Sequence, residues 1–309
     1  MVGVVMGIPF DKIAQVLRAG VDLHRDADES IRVAVFVDDS ASPFLVSTLR
    51  DALVPQTPSA LVRVDLLEHV SCALKDDTDV ALVISCGSAG LQQSVQQIVV
   101  AGVPTVVLSE SSVEVPFIEH DTRMLGLIAA TDAAHLLESL ARWVLERTDK
   151  DVAFARNFPF MRIAASMRAI SSASVANLTT GALAFIPGAD FPVMTLAQAG
   201  MMLKLATIHD KPIKGERLYE FAGLVVSALA MRTFARALCS RVPKGAFAVK
   251  ALVGGAGTFA LGLGFNALYE HNVDYSPLND LVRRVAGGLR QAARHDSMQR
   301  DDMPIANAN

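Results

Sequence analysis

IRVAVFVDDSASPFLVSTLRDAL, residues 31–53, is the stretch on which the fold turns. Residues 31–37 are a β-branched apolar run, the composition of a strand buried on both faces. Residues 38–42 are polar and form a loop. Ser42-Pro43 then pairs an N-capping hydroxyl with a proline at the first helical position. The helix this starts carries Phe44, Leu45, Leu49 and Leu53 before Pro55 and Pro58 end it. Strand, short loop and capped helix make the first half of a βαβ unit.

The same rhythm continues downstream. Strands are predicted over Leu61–Leu67, Val80–Ser85, residues 103–108 and Met124–Ala129. Helices are predicted from Leu91 to Ala101, closed by Gly102, and from Asp132, as cap, to about Arg147. Strands alternating with helices imply a doubly wound α/β fold with a mainly parallel five-stranded sheet. Ligands of such sheets sit beyond the carboxyl ends of the strands. The residues to search are therefore Asp38–Ser42, Leu66–Glu68, Cys86–Gly90, Ser109–Glu114 and Ala130–Asp132.

After Lys150 the strand signals stop. Ala-rich segments near 153–180, 192–208, 214–241, 244–270 and 277–294 predict about five helices, punctuated at Pro187-Gly188, Pro212, Pro243 and Pro277. The expected organisation is an α/β domain over 1–150, an all-α domain over 151–295 and a disordered tail over 296–309.

Charge divides at the same place. The 309 residues sum to −4, but residues 1–150 hold 11 Lys and Arg against 21 Asp and Glu, a net of −10. The remainder hold 17 against 11, a net of +6. Such halves attract one another, or the basic half faces an anionic surface. Three cysteines (Cys72, Cys86, Cys239) and seven scattered histidines show no metal-ligand spacing, so no metal is expected. The start, MVGVVMGIPFDK, lacks a basic segment and a long apolar core. It predicts a cytoplasmic location, with association to the inner membrane left open.

Residues 31–147 resemble the bacterial Era-like P-loop GTPases in the order and spacing of their elements. That resemblance makes Asp38–Leu45 the phosphate loop. Asp38 then stands for the first glycine and Pro43 for the second, Phe44 for the phosphate lysine and Leu45 for the magnesium ligand. The guanine-reading motif would fall on Ser109, Glu110, Ser111 and Ser112, with neither lysine nor aspartate. The resemblance implies a degenerate pseudo-GTPase without nucleotide, cofactor or catalytic residues.

The same stretch also resembles the start of a receiver domain, whose paired acids would be Asp38 and Asp39. No acid follows the third strand and no lysine the fifth, so phosphoryl transfer is lost on that reading too. An alternative enzyme or ligand sensor would use Asp38, Asp39 and Cys86. Gly87-Ser88-Ala89-Gly90 is one residue short of a nucleophile elbow.

The block Ile186, Pro187, Gly188, Ala189, Asp190 and Pro192, with the Met201–Ala206 run, resembles a bacterial helical domain of unknown function associated with Era-like GTPases. It implies no catalytic residues. Physically, Pro187 and Gly188 break the chain and Asp190 can cap the next helix.

Residues 251–269 are uncharged, near the length of a bilayer span. Ala256, Ala260 and Gly264 present small residues four apart, suited to close helix packing. Five glycines and Asn266 argue for a soluble or peripherally bound bundle instead. Arg283, Arg284, Arg290 and Arg294 lie on one helix and suit an anionic partner or a solvated face. Nucleic acid is not expected, because no aromatic or reading motif accompanies the basic half. The function expected is a non-catalytic scaffold, its helical domain docking a protein, a second copy or the inner membrane surface.

Overall fold

The computed structural model describes residues 22–23, 25–67, 74–183, 190–211 and 246–271, with single helical positions at Gly223, Ala230, Thr233, Phe234 and Ala237. Expectations for the cysteines at 72 and 239, the Ile186–Ala189 block, most of 214–241, the arginine-rich 277–294 helix and the 296–309 tail lie outside the described residues.

The first half is a three-layer α/β unit. In chain order it contains β1 (Ile31–Val37), α1 (Pro43–Ala52), β2 (Ala60–Leu66), β3 (Val80–Ile84) and α2 (Leu91–Val100), then β4 (Thr105–Ser109), β5 (Leu125–Ala129) and α3 (Ala133–Arg147). The five strands are all parallel in the order β2-β1-β3-β4-β5. That is a doubly wound order, reversing between β1 and β3.

The expected caps are present. Ser42 accepts from the Leu45 amide with Pro43 in the first turn, and Asp132 accepts from the His135 amide. Gly102 takes the left-handed φ of +86° that closes α2. The fourth strand begins two residues later than its composition suggests, past Pro104, which has no amide to donate and offers only its carbonyl, to Ala81.

Strict alternation builds the two faces. Val33, Val35, Leu82, Ile84, Val106, Leu108 and Ile128 point toward α1 and α3. Ala34, Phe36, Ala81, Val83 and Val107 point toward α2. β3 and β4 are buried at every residue, as central parallel strands should be.

The second half is helical: α4 (Asp151–Asn157), a 3-10 turn (Pro159–Met161), α5 (Arg162–Leu183), α6 (Asp190–Ile208) and α7 (Ala246–Glu270). The segment expected as one helix from 153 to 180 is broken, because Pro159 holds Phe158 in an extended conformation, φ −120° and ψ 98°. The core on the α1/α3 side continues through Phe154, Phe158 and Met161 to Ala165 on α5 and Ile208 on α6. Buried Asn157 ties α4 to the entry of β2, accepting from the Thr57 amide (3.0 Å) and hydroxyl (2.8 Å) and donating to the Ala153 carbonyl (3.1 Å). Lys150 bridges to Asp79 at 2.8 Å, and Arg156 reaches Asp28 and Asp210.

Helices α5, α6 and α7 pack on one another around Ile170, Met202, Leu205 and Tyr269. α7 meets α5 along Ala251, Gly255, Thr258 and Gly262, all buried. A methyl at Gly255 would come within 2.9 Å of Leu178 Cβ, and one at Gly262 within 2.7 Å of Ile170 Cγ1. The small-residue stripe expected to mediate packing, Ala256, Ala260 and Gly264, instead faces outward.

Candidate functional site

The carboxyl ends of β1 and β3 bring together a serine-lined carboxylate. Asp38, 3% exposed, follows β1 directly, its amide donating to the Ile84 carbonyl at 3.0 Å. Oδ2 accepts from the Ser40 hydroxyl and from Ser85 Oγ at 2.7 Å, and Oδ1 accepts from Ser88 Oγ at 2.9 Å. Ser40 Oγ in turn accepts from the Cys86 amide at 3.0 Å, and Ser85 Oγ from the Gly87 amide at 3.2 Å. Burial pushes the Asp38 carboxyl up, but the hydroxyls of Ser40, Ser85 and Ser88 with the Ser40 amide outweigh it and hold the pKa below the ordinary value.

A second carboxylate closes the neighbouring strand end. Glu114 accepts from the Ser109 hydroxyl, and from the Ser111 amide at 3.2 Å, in a capping box around the 3-10 turn Ser112–Glu114. The Ser109 hydroxyl foremost, then the Ser111 amide and the Cys86 thiol, hold its pKa down against a smaller desolvation. Gly87 sits between the two networks with φ of +90°. A Cβ there would stand 2.6 Å from the Glu114 carbonyl oxygen, so the loop approaches backbone to backbone.

Gly87→Ala is expected to cost about 1–2 kcal/mol from the left-handed φ alone, before the clash is relieved. The check is a melting curve alongside Ser88→Ala. Equal stability of Gly87→Ala and wild type would contradict this account of the loop.

Both acids at this edge are held by neighbouring hydrogen-bond donors. The donors to Asp38 and Glu114 described above are hydroxyls, amides and a thiol, and the strand-end segments 38–42, 85–90, 109–114 and 130–132 contain no lysine or arginine to balance a phosphate. Pro43 is the first residue of α1, Phe44 packs partly buried against the core, and Leu45 is fully buried. These are packing positions. In the guanine-motif segment Ser109 is buried and bound to Glu114, Glu110 is half-buried and Ser112 is exposed.

The three side chains proposed to converge do not: Ser40 links Asp38 only to the Cys86 backbone amide, the Cys86 thiol goes to Glu114, and Asp39 is exposed. Among the described residues no group of three or more His, Cys, Asp or Glu is placed to hold a metal. Asp190 and Pro192 lie in the first turn of α6. No partnership of Ser40, Ser85 or Ser88 with Asp38 was legible in the sequence, where Ser88 stood out only within the Gly87–Gly90 turn; the signal was the recurrence of serine at adjoining strand ends.

The helical half carries a second feature. From Leu252 to Ala267 the outward face of α7 is Leu252, Ala256, Phe259, Ala260, Leu263, Gly264 and Ala267, with Leu252 64% and Leu263 42% exposed. Polar groups occupy the interior instead. Asn177 Nδ2 donates to Thr258 Oγ1 at 2.8 Å and to the Met194 carbonyl at 3.2 Å, and Gln198 Nε2 donates to Thr258 Oγ1 at 2.9 Å. α7 is long and apolar enough to cross a membrane by length and composition, over Phe247–Glu270.

No family model, no curated protein and no solved structure matches this chain.

Proposed function

We propose that this is a non-catalytic docking protein whose helical bundle lies on a membrane surface and whose α/β half presents a partner-binding module toward the cytoplasm. The observation that carries the reading is the outward face of α7, apolar from Leu252 to Ala267 while Asn177, Gln198 and Thr258 are turned inward. At 1.5 Å per residue this face is about 22 Å long, and it occupies one side of the helix, the geometry of an element lying in the interface rather than through it. Lys250 at its start and the positive balance of residues 151–309 suit anionic headgroups.

The pseudo-GTPase reading of the first half belongs to the same proposal. It is supported by a buried carboxylate at the position of the first phosphate-loop glycine, with no cation in the strand-end segments to offset it.

Flotation with vesicles containing anionic lipid tests the membrane arm. Wild type is expected to float, and Leu252→Glu with Leu263→Glu to lower the partition coefficient by about tenfold or more, since two exposed apolar anchors become charges. Circular dichroism should be unchanged, because neither side chain is buried. Wild type remaining at the bottom of the gradient, or the double variant floating equally, would remove the membrane arm.

A further inference from the structure

The two edges of the sheet are treated differently. Along β5 the preceding segment covers the edge: the Leu127 amide donates to Asp121 Oδ1 at 3.1 Å, the Thr122 amide to the Leu125 carbonyl at 2.8 Å, and the Leu125 amide to Thr122 Oγ1 at 2.9 Å. β2, at the other end of the order, has Val64 64% and Leu66 69% exposed, and among the described residues no segment hydrogen-bonds to the backbone of its outer edge. Exposed apolar edge strands of this kind pair with another chain unless something blocks them.

The phase of β2 is set by the Leu67 amide, which donates to the Val37 carbonyl at 2.8 Å. Strand groups alternate in direction, so residues 61, 63 and 65 also turn their amides toward β1. Residues 62, 64 and 66 turn theirs outward. Arg63 already gives two N–H groups to Asp77, at 2.8 and 2.9 Å. A guanidinium has five, so it can bind a second carboxylate. Asp65 is exposed.

We infer that β2 is a self-association edge, taking β2 of a second copy antiparallel about a two-fold axis at Val64. The segment Val62-Arg63-Val64-Asp65-Leu66 is self-complementary about that axis. Val64 meets Val64 and Val62 meets Leu66 in hydrogen-bonded pairs, whose outward amides and carbonyls are the ones β1 leaves unused. Arg63 meets Asp65 of the second copy, twice, in the closer non-hydrogen-bonded pairs. A one-residue slip would set the outward amides against inward ones, and a two-residue slip would separate the charges. A second copy is therefore favoured over an unrelated strand: the seam joins two five-stranded sheets and places each charge opposite its complement.

The test is sedimentation and cross-linking of the full chain. Wild type should dimerise, and Asp65→Arg, which sets Arg opposite Arg63 twice, should raise the dimer dissociation constant about tenfold. Val64→Pro removes only an outward amide and should give a monomer with little change in melting. Under mild oxidation Val64→Cys should form a disulfide dimer absent from wild type. Val62→Cys and Leu66→Cys should cross-link when mixed but not alone, because hydrogen-bonded pairs lie about 5.5 Å apart between Cα atoms, within disulfide reach. A monomeric wild type, a dimer indifferent to Asp65→Arg, or cross-linking of Val62→Cys alone would overturn the inference.

Discussion

Phe158→Ala is expected to destabilise the protein by about 3–5 kcal/mol, the range for emptying a fully buried phenylalanine site. Phe158 has no exposed surface and stacks tilted between Phe154, 6.1 Å away, and Phe160, 6.5 Å away. It occupies the break between α4 and the 3-10 turn, where the core beneath the sheet passes into the helices. Pro159 holds its backbone extended, so a smaller side chain cannot be compensated by letting α4 run on into α5. Urea denaturation should show a lower midpoint with the slope unchanged. Because the apolar cluster is continuous from β1 to Ile208, far-ultraviolet and tryptophan signals should move together, Trp143 belonging to that cluster. Two separated transitions, with Trp143 unmoved, would refute the idea of a shared core.

Asp38→Ala should cost about 3 kcal/mol. Hydrogen bonds to a charged group contribute roughly 1.5–3 kcal/mol each, but the three serine hydroxyls are not additive, and those of Ser40 and Ser88 can turn to water. The pH dependence has a definite sign. The folded pKa of Asp38 lies below the ordinary 3.8, so its contribution is full above that value and is lost as pH falls through the folded pKa. Acid sensitivity is therefore expected below about pH 4, and Asp38→Asn should flatten it while lowering stability at neutral pH. Glu114, shifted the same way by Ser109, should leave a residual slope in that variant. A melting series from pH 7 to pH 2 distinguishes these outcomes. Identical acid slopes for wild type and Asp38→Asn would show that the serine network does not hold the charge as described.

These predictions depend on features that differ in how far the chain itself announces them. β1, α1, α2 and α3 were legible because their signals are local: a β-branched run, Ser42-Pro43, Gly102 and Asp132 each act within a few residues. The serine nest was not, because Ser85 and Ser88 lie 47 and 50 residues from Asp38 and meet it only when β3 is laid beside β1. Asp39 looks equivalent to Asp38 as a letter, yet one is in solvent and the other is buried.

α7 shows the same division most clearly. Its segment is apolar on all sides, so periodicity cannot choose which face turns inward. Two stripes of small residues compete, Ala256, Ala260 and Gly264 against Gly255, Thr258 and Gly262. Leu178 and Ile170 on α5, with the buried amides of Asn177 and Gln198, select the second and turn the first outward. The sequence alone thus determined the strands and the helix starts of the first half, since short-range sterics and hydrogen bonding decide them. Strand order, the exposure of Val64 and Leu66 on β2, the burial of Asp38 and the outward face of α7 came only with tertiary packing, because each depends on which distant surfaces fit together.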